Sequence, residues 1–206
     1  MLGVIYKKKT EYKGDPTFGF SLSYVAENAD KSDSALGGMF TKNSKGNLLA
    51  QGAWGGDEYG IALGYRYGQC GTNQRRGTEF VAANTFNNEC NYDSWAWDPR
   101  NGKELYKGSY IPKRSNRNTH NFAINGYWVP LYSNWIPSVS LGYSRSVTNG
   151  DGFFDGSPLA SNSWFAATKW DDVLYSGNDL GISFGQPNFS TDHPQDSNYL
   201  LEIYLP

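Results

Sequence analysis

The chain has 206 residues, 16% of them aromatic, with 24 glycines and a formal net charge of −2. That length allows one large domain or part of a bigger one, and that charge carries no nucleic-acid footprint. Mean hydropathy is −0.62, and no run approaches the roughly 18 apolar residues of a membrane helix; a membrane β-barrel escapes this exclusion, because half of each of its strands faces a wet lumen.

The chain opens on MLGVIYKKK, whose apolar run is short and precedes its basic residues, the reverse of a signal peptide. Leu2, Val4 and Tyr6 read as the end of a strand. Helical periodicity is nearly absent from the rest of the chain, and period-two segments recur. Phe18, Phe20, Leu22 and Tyr24 alternate with Gly19, Ser21 and Ser23, and, less clearly, Leu48, Ala50, Gly52 and Trp54 alternate with Leu49, Gln51 and Ala53. In YGIALGYRYG (59–68), Tyr59, Ile61, Leu63, Tyr65 and Tyr67 make one face, and Gly60, Ala62, Gly64, Arg66 and Gly68 the other. Phe122, Ile124, Gly126 and Trp128 then alternate with Asn121, Ala123, Asn125 and Tyr127, and Val139, Leu141 and Tyr143 with Ser138, Ser140, Gly142 and Ser144. Further on come Trp164, Ala166, Thr168 and Trp170 against Phe165, Ala167 and Lys169. Leu180, Ile182 and Phe184 come next against Gly181, Ser183 and Gly185, and Tyr199, Leu201 and Ile203 against Leu200, Glu202 and Tyr204.

The connections alternate in length. Residues 55–58, 129–137 and 171–179 are compact, with Pro, Gly, Asn and Asp punctuation. Residues 25–47, 69–119, 145–162 and 186–198 are long and polar. An up-and-down antiparallel sheet gives this pattern when its two ends face different environments, as outer-membrane barrels do. The spacing agrees: Tyr59 and Tyr67 lie roughly 27 Å apart along a strand and roughly 20 Å apart along a barrel axis after tilt, close to the ~25 Å apolar band between aromatic girdles. Trp164 and Trp170 bracket their strand similarly, and Trp128, Tyr132 and Trp135 crowd one short turn. A soluble sandwich or lectin-like barrel would carry Thr, Lys and Glu on its solvent faces, since exposed Gly weakens strands and edges need charge. Here the non-apolar faces are mostly Gly, Ser, Ala and Asn. The expected fold is all-β, a transmembrane up-and-down barrel.

The stretches NFAINGYWVPLYSNWIPSVSLGYS (121–144) and SNSWFAATKWDDVLYSGNDLGISFGQPNF (161–189) resemble the carbohydrate-selective porins of the OprB type, nearest their cyanobacterial branch, also described as iron-uptake or general porins. FGFSLSYVA (18–26) and YGIALGYRYG fit the same pattern, and Trp170-Asp171-Asp172 with the GQP at Gly185–Pro187 are the most specific pieces. The resemblance covers most of residues 1–206 outside the loop 69–119. It implies a sixteen-stranded outer-membrane barrel, of which this chain supplies about half. In the cyanobacterial branch a signal peptide and an S-layer-homology segment come first; neither precedes Met1, and LLEIYLP departs from the usual terminal aromatic strand, so the chain reads as a segment lacking its start and its final strands. The implied activity is passive diffusion of small hydrophilic solutes, sugars or inorganic ions including iron, through a homotrimer in the outer-membrane lipid of a bacterial cell, with no cofactor.

Parity supplies the site candidates. Arg66 sits on the bare face among glycines, Lys169 shares parity with Phe165 and Ala167 opposite the Trp164 and Trp170 face, and Glu202 alternates with Leu201 and Ile203; each is expected to point into water, because a basic side chain facing lipid costs ~2–4 kcal/mol at the midplane. Rings of such charges set pore selectivity; the plainer reading is that they solvate the wall. Asn121, Asn125, Ser140 and Ser183 are the polar lining, and Tyr59, Tyr67, Trp128, Trp164 and Trp170 the lipid-interface aromatics. Cys70 and Cys90 are the only cysteines; a disulfide would close a loop of about 20 residues and stabilise it by roughly 3 kcal/mol in an oxidising compartment, two free thiols being the alternative. Asn149, Asp151 and Asp155 resemble a calcium loop without the EF-hand register or its closing Glu, and an ordinary Gly-Asp loop is the plainer reading. His120 and His193 stand far apart with no nucleophile motif near them, and Asp171 and Asp172 sit in a turn, where Asp bonds backbone. No enzyme is expected. The rival reading is a soluble or surface-exposed aromatic-rich β-domain that binds carbohydrate; a third is a small eight-stranded barrel complete in itself.

Overall fold

The computed structural model describes residues 2–8, 15–26, 40, 46–69, 96–98, 103–105, 118–131, 135–149, 160–173, 177–191 and 198–205. Their regular structure is all β. The strands are β1 (Leu2–Lys7), β2 (Thr17–Ala26), β3 (Gly46–Gly55), β4 (Tyr59–Gln69), β5 (Ala96–Asp98), β6 (Lys103–Leu105), β7 (Asn118–Trp128), β8 (Ser138–Asn149), β9 (Ala160–Trp170), β10 (Leu180–Ser190) and β11 (Leu200–Tyr204). Nine of them form one sheet in the order β1-β2-β3-β4-β7-β8-β9-β10-β11, and β5 pairs with β6 apart from it. Every pairing is antiparallel. The sheet is thus an up-and-down meander with two edges, β1 and β11.

Directly opposed residues in an antiparallel ladder point to the same face, so the register shows whether the separate alternations join. They do. One row runs Tyr6, Phe20, Gly52, Leu63, Ile124, Tyr143, Trp164, Gln186 across eight strands. The row beside it on the other face runs Ile5, Ser21, Gln51, Gly64, Ala123, Ser144, Ser163. A slip of one residue at any strand would have exchanged these sets; along these two rows none occurs.

The bulky face is uncovered. Leu63 is 56%, Leu141 55% and Phe122 52% exposed. Tyr24, stacked on Phe40 with ring centroids 4.2 Å apart, is the single buried apolar side chain among the described residues. A sheet of this size with no second layer over its apolar side has no hydrophobic core of its own.

On the small-residue face, called the concave face below, Ile5, Gln51, Ala62, Asn125, Ser140 and Phe165, from β1 to β9, line a hollow of about 590 Å³; the bulky face has a hollow of about 480 Å³ where Gly52 lies among Phe20, Leu63, Ile124 and Tyr143. Aromatic rings cover glycines on the concave face. Tyr127 lies over Gly60 and Phe165 over Gly142, so a Cβ at either would collide with the ring, and a Cβ at Gly185 would meet the backbone of Trp164 and Phe165. At the β3–β4 hairpin, a Cβ on Gly55 would meet Gly60 Cα at 2.6 Å, and Gly56 N–H donates to Tyr59 O at 2.9 Å to close the turn.

Two features depart from the sequence reading. The strands run further into the segments 69–119, 145–162 and 186–198 than expected: β7 begins at Asn118, β8 reaches Asn149, β9 begins at Ala160 and β10 reaches Ser190. The alternation of connection length therefore holds for 27–45 and 70–117 against 56–58, but 150–159 and 191–199, ten and nine residues, are no more than one residue longer than 129–137 and 171–179, nine each. Secondly, Gln186-Pro187 does not end its strand. A bulge shifts the β9–β10 register between Gln186 and Phe189, and a bulge is where a sheet tolerates a proline.

Candidate functional site

The register brings every charged or polar candidate to the concave face. Arg66 is opposed by Leu49 and Asn121, Asn125 by Ala62 and Gly142, Ser140 by Tyr127 and Ala167, and Ser183 by Ala167 and Glu202. Lys169 is opposed by Ser138 and Gly181. Lys7, opposite Gly19, belongs to the same face, where the sequence reading had singled out no charge.

The charges are not equivalent. Arg66 is held in a polar ladder toward the end of the sheet that carries 27–45 and 70–117. Its Nε and Nη2 both donate to Asn47 Oδ1, at 2.9 and 2.6 Å. Asn121 Nδ2 donates to Arg66 O at 3.3 Å, and Ser146 Oγ donates to Asn121 Oδ1 at 2.6 Å. Hydroxyl pairs continue the ladder, Thr119 with Thr148 at 3.0 Å and Ser144 with Ser163 at 2.7 Å. Such pairing fixes the guanidinium in place against the sheet.

Lys169 stands at the opposite end and is neutralised. Its Nζ lies 2.7 Å from both Asp171 Oδ1 and Asp179 Oδ2. The trio carries a net negative charge, so Lys169 is a bridge within the β9–β10 turn and not an isolated cation. That turn also explains Asp172. Its φ is 57°, and its Oδ1 accepts from Gly177 N–H at 2.7 Å, a left-handed residue stabilised by its own side chain as Asp and Asn permit. Glu202, on β11, is exposed.

The interface aromatics all lie on the bulky face. Tyr59 opposes Trp128 at the short-turn end, with Trp54 5.5 Å from Tyr59, and Trp170 Nε1 donates to Trp135 O at 3.2 Å. At the other end Tyr67 packs 5.3 Å from His120, whose Nδ1 is 2.8 Å from Tyr65 Oη. Trp164 does not cap its strand. β9 continues to Ala160, and Trp164 packs against Phe184 and Tyr199 while its Nε1 donates to Gln186 Oε1 at 3.2 Å.

Sequence reading missed Arg145. It ended the third hairpin's second strand at Ser144, yet the parity of Val139, Leu141 and Tyr143 extended two residues on lands on Arg145, placing it on the bulky face. Asn149 closes β8, while Asp151, Asp155, Cys70, Cys90, Tyr132 and His193 lie outside the described residues. Among the described residues no three His, Cys, Asp or Glu side chains gather as a metal site. The arrangement is a face of glycine, hydroxyl and amide groups with sparse charge, broken by the apolar side chains of Ile5, Tyr127 and Phe165, and its chemistry is that of a hydrogen-bonding surface.

Comparison with family models, with curated proteins and with solved structures finds no match for this chain.

Proposed function

We propose that the sheet is part of the wall of a porin, an outer-membrane β-barrel whose bulky face meets lipid and whose concave face borders a water-filled passage for passive diffusion of small hydrophilic solutes. The observation that carries this reading is the continuity of two opposite faces over nine strands. One is apolar and uncovered; the other is concave, small and hydrogen-bonded. Lipid is the environment in which such an apolar face needs no protein layer. The resemblance to the OprB type adds sugars or inorganic ions as solutes and a homotrimer as the assembly.

Strand parity adds a condition. With nine antiparallel strands, β1 and β11 run in the same direction. An all-antiparallel closed barrel therefore takes an odd number of further strands beside them, and sixteen, a number that leaves an aqueous channel, takes seven (16 − 9 = 7).

The passage is tested in planar bilayers with the full-length gene product. The reading predicts stepwise conductance whose ion selectivity shifts in Arg66→Ala. Absence of channels, together with a detergent-free, soluble, folded chain that binds sugar, would replace it with the carbohydrate-binding β-domain.

A further inference from the structure

The bulky face contains one charged side chain. Of the charged residues within the nine strands, Lys7, Arg66, Lys169 and Glu202 lie on the concave face and Arg145 alone on the other. A lone arginine on a face read as lipid-facing needs an anion or water, and its level in the sheet decides which.

Arg145 opposes Phe122 on β7 and Asn162 on β9. Phe122 is six residues from Trp128, the aromatic at the short-turn end, a separation of roughly 20 Å along the strand and roughly 15 Å along a tilted axis. An arginine side chain snorkels beyond its own Cα, which carries the guanidinium toward the far edge of a ~25 Å apolar band. The neighbouring groups on this face are hydrogen-bonding ones. Tyr143 Oη donates to Asn162 Oδ1 at 3.1 Å, which leaves the Asn162 amide N–H groups as donors, and His120, paired with Tyr65 of β4, lies on the adjacent strand β7. Arg145 is exposed, and among the described residues its guanidinium has no hydrogen-bond or ion-pair partner. No carboxylate of the nine strands shares its face, Glu202 being on the other. The result is a planar, five-donor cation beside a donor amide, at headgroup depth, with nothing of its own sheet to neutralise it. Guanidinium matches phosphate in a bidentate fork.

We propose that Arg145, with Asn162, holds the phosphate of an anionic lipid headgroup on the outer surface of the barrel. This rests on the membrane reading of the bulky face. The full-length gene product is reconstituted in phosphatidylcholine vesicles containing a minority of phosphatidylglycerol, extracted with detergent, and its co-purifying lipid identified by mass spectrometry. The expected result is enrichment of phosphatidylglycerol over its share of the vesicle. Arg145→Gln lowers this roughly fivefold, the change given by ~1 kcal/mol per basic side chain at an anionic surface; Arg145→Lys keeps most of it, and Arg66→Gln, on the opposite face, leaves it unchanged. Equal retention by Arg145→Gln, an equal loss in Arg66→Gln, or displacement of the lipid by excess inorganic phosphate would each overturn the site. Failure of the full-length product to enter vesicles at all would overturn the membrane reading, and the site with it.

Discussion

Replacing Leu63 by arginine separates lipid from water on the bulky face. Leu63 lies four residues from both Tyr59 and Tyr67, so about 13 Å of strand, or about 10 Å along a tilted axis, separates it from either interface. Its side chain is 56% exposed, opposed by Gly52 and Ile124, with no partner for a charge in either. If that exposure is to hydrocarbon, Leu63→Arg costs ~2–4 kcal/mol, and Tyr67→Arg, near the interface, ~0–1 kcal/mol. Ala62→Arg, one residue away on the concave face and opposed by Ala53 and Asn125, stays within ~0.5 kcal/mol, as surface substitutions do. The assay is equilibrium denaturant unfolding of the vesicle-inserted protein followed by tryptophan fluorescence, with the midpoints compared at constant slope. A neutral Leu63→Arg would refute the reasoning, because the face would then be in water. A cost equal at Leu63 and Tyr67 would refute it too, because a protein layer covering the face has no depth gradient.

Three other substitutions test particular elements. Lys169→Ala changes stability by less than ~1 kcal/mol, because its ion pairs are at the surface, but it leaves Asp171 and Asp179 uncompensated; the reversal potential of the channel in a salt gradient should move toward cations. Gly142→Val drives a side chain into the Phe165 ring and should destabilise by ~1–3 kcal/mol, as overpacking does, read as a lower unfolding midpoint and partly relieved in the Phe165→Ala background. Asp172→Ala removes the bond to Gly177 N–H and leaves a β-methyl at φ 57°; the expected loss is ~1–3 kcal/mol, whereas Asp172→Asn, which keeps an acceptor and tolerates that φ, should lose less than ~1 kcal/mol.

The faces were legible in the sequence because side-chain size alternates wherever bulky residues are present: Tyr59 to Tyr67 and Phe122 to Trp128 each assign a strand, its faces and its register parity. Strand ends were less legible. Past Tyr143 and Trp164 the strands continue mostly in Ser, Thr, Asn and Arg, which carry little apolar contrast, so Arg145 to Asn149 and Ala160 to Asn162 read as loop although they are paired. Gln186-Pro187 read as a break because the bulge that accommodates proline is a property of two strands, not one. Lys169 looked like an isolated wall charge for a similar reason. Asp171 is adjacent in sequence, but Asp179 reaches Nζ only because the turn folds back over it. For Asn121, Asn125, Ser140 and Ser183, parity alone gave the face on which each stands, because the register at each of these residues is unshifted.

The most direct test of the lipid-facing claim is a nitroxide scan of 59–68 in vesicles, one label at a time, comparing accessibility to oxygen, which concentrates in hydrocarbon, with accessibility to a polar nickel chelate. The account predicts a strict period of two: oxygen favoured at 59, 61, 63, 65 and 67, the chelate favoured at 60, 62, 64, 66 and 68, with the oxygen excess greatest at 63. Chelate accessibility at 61 and 63 equal to that at 62 and 64 would contradict it.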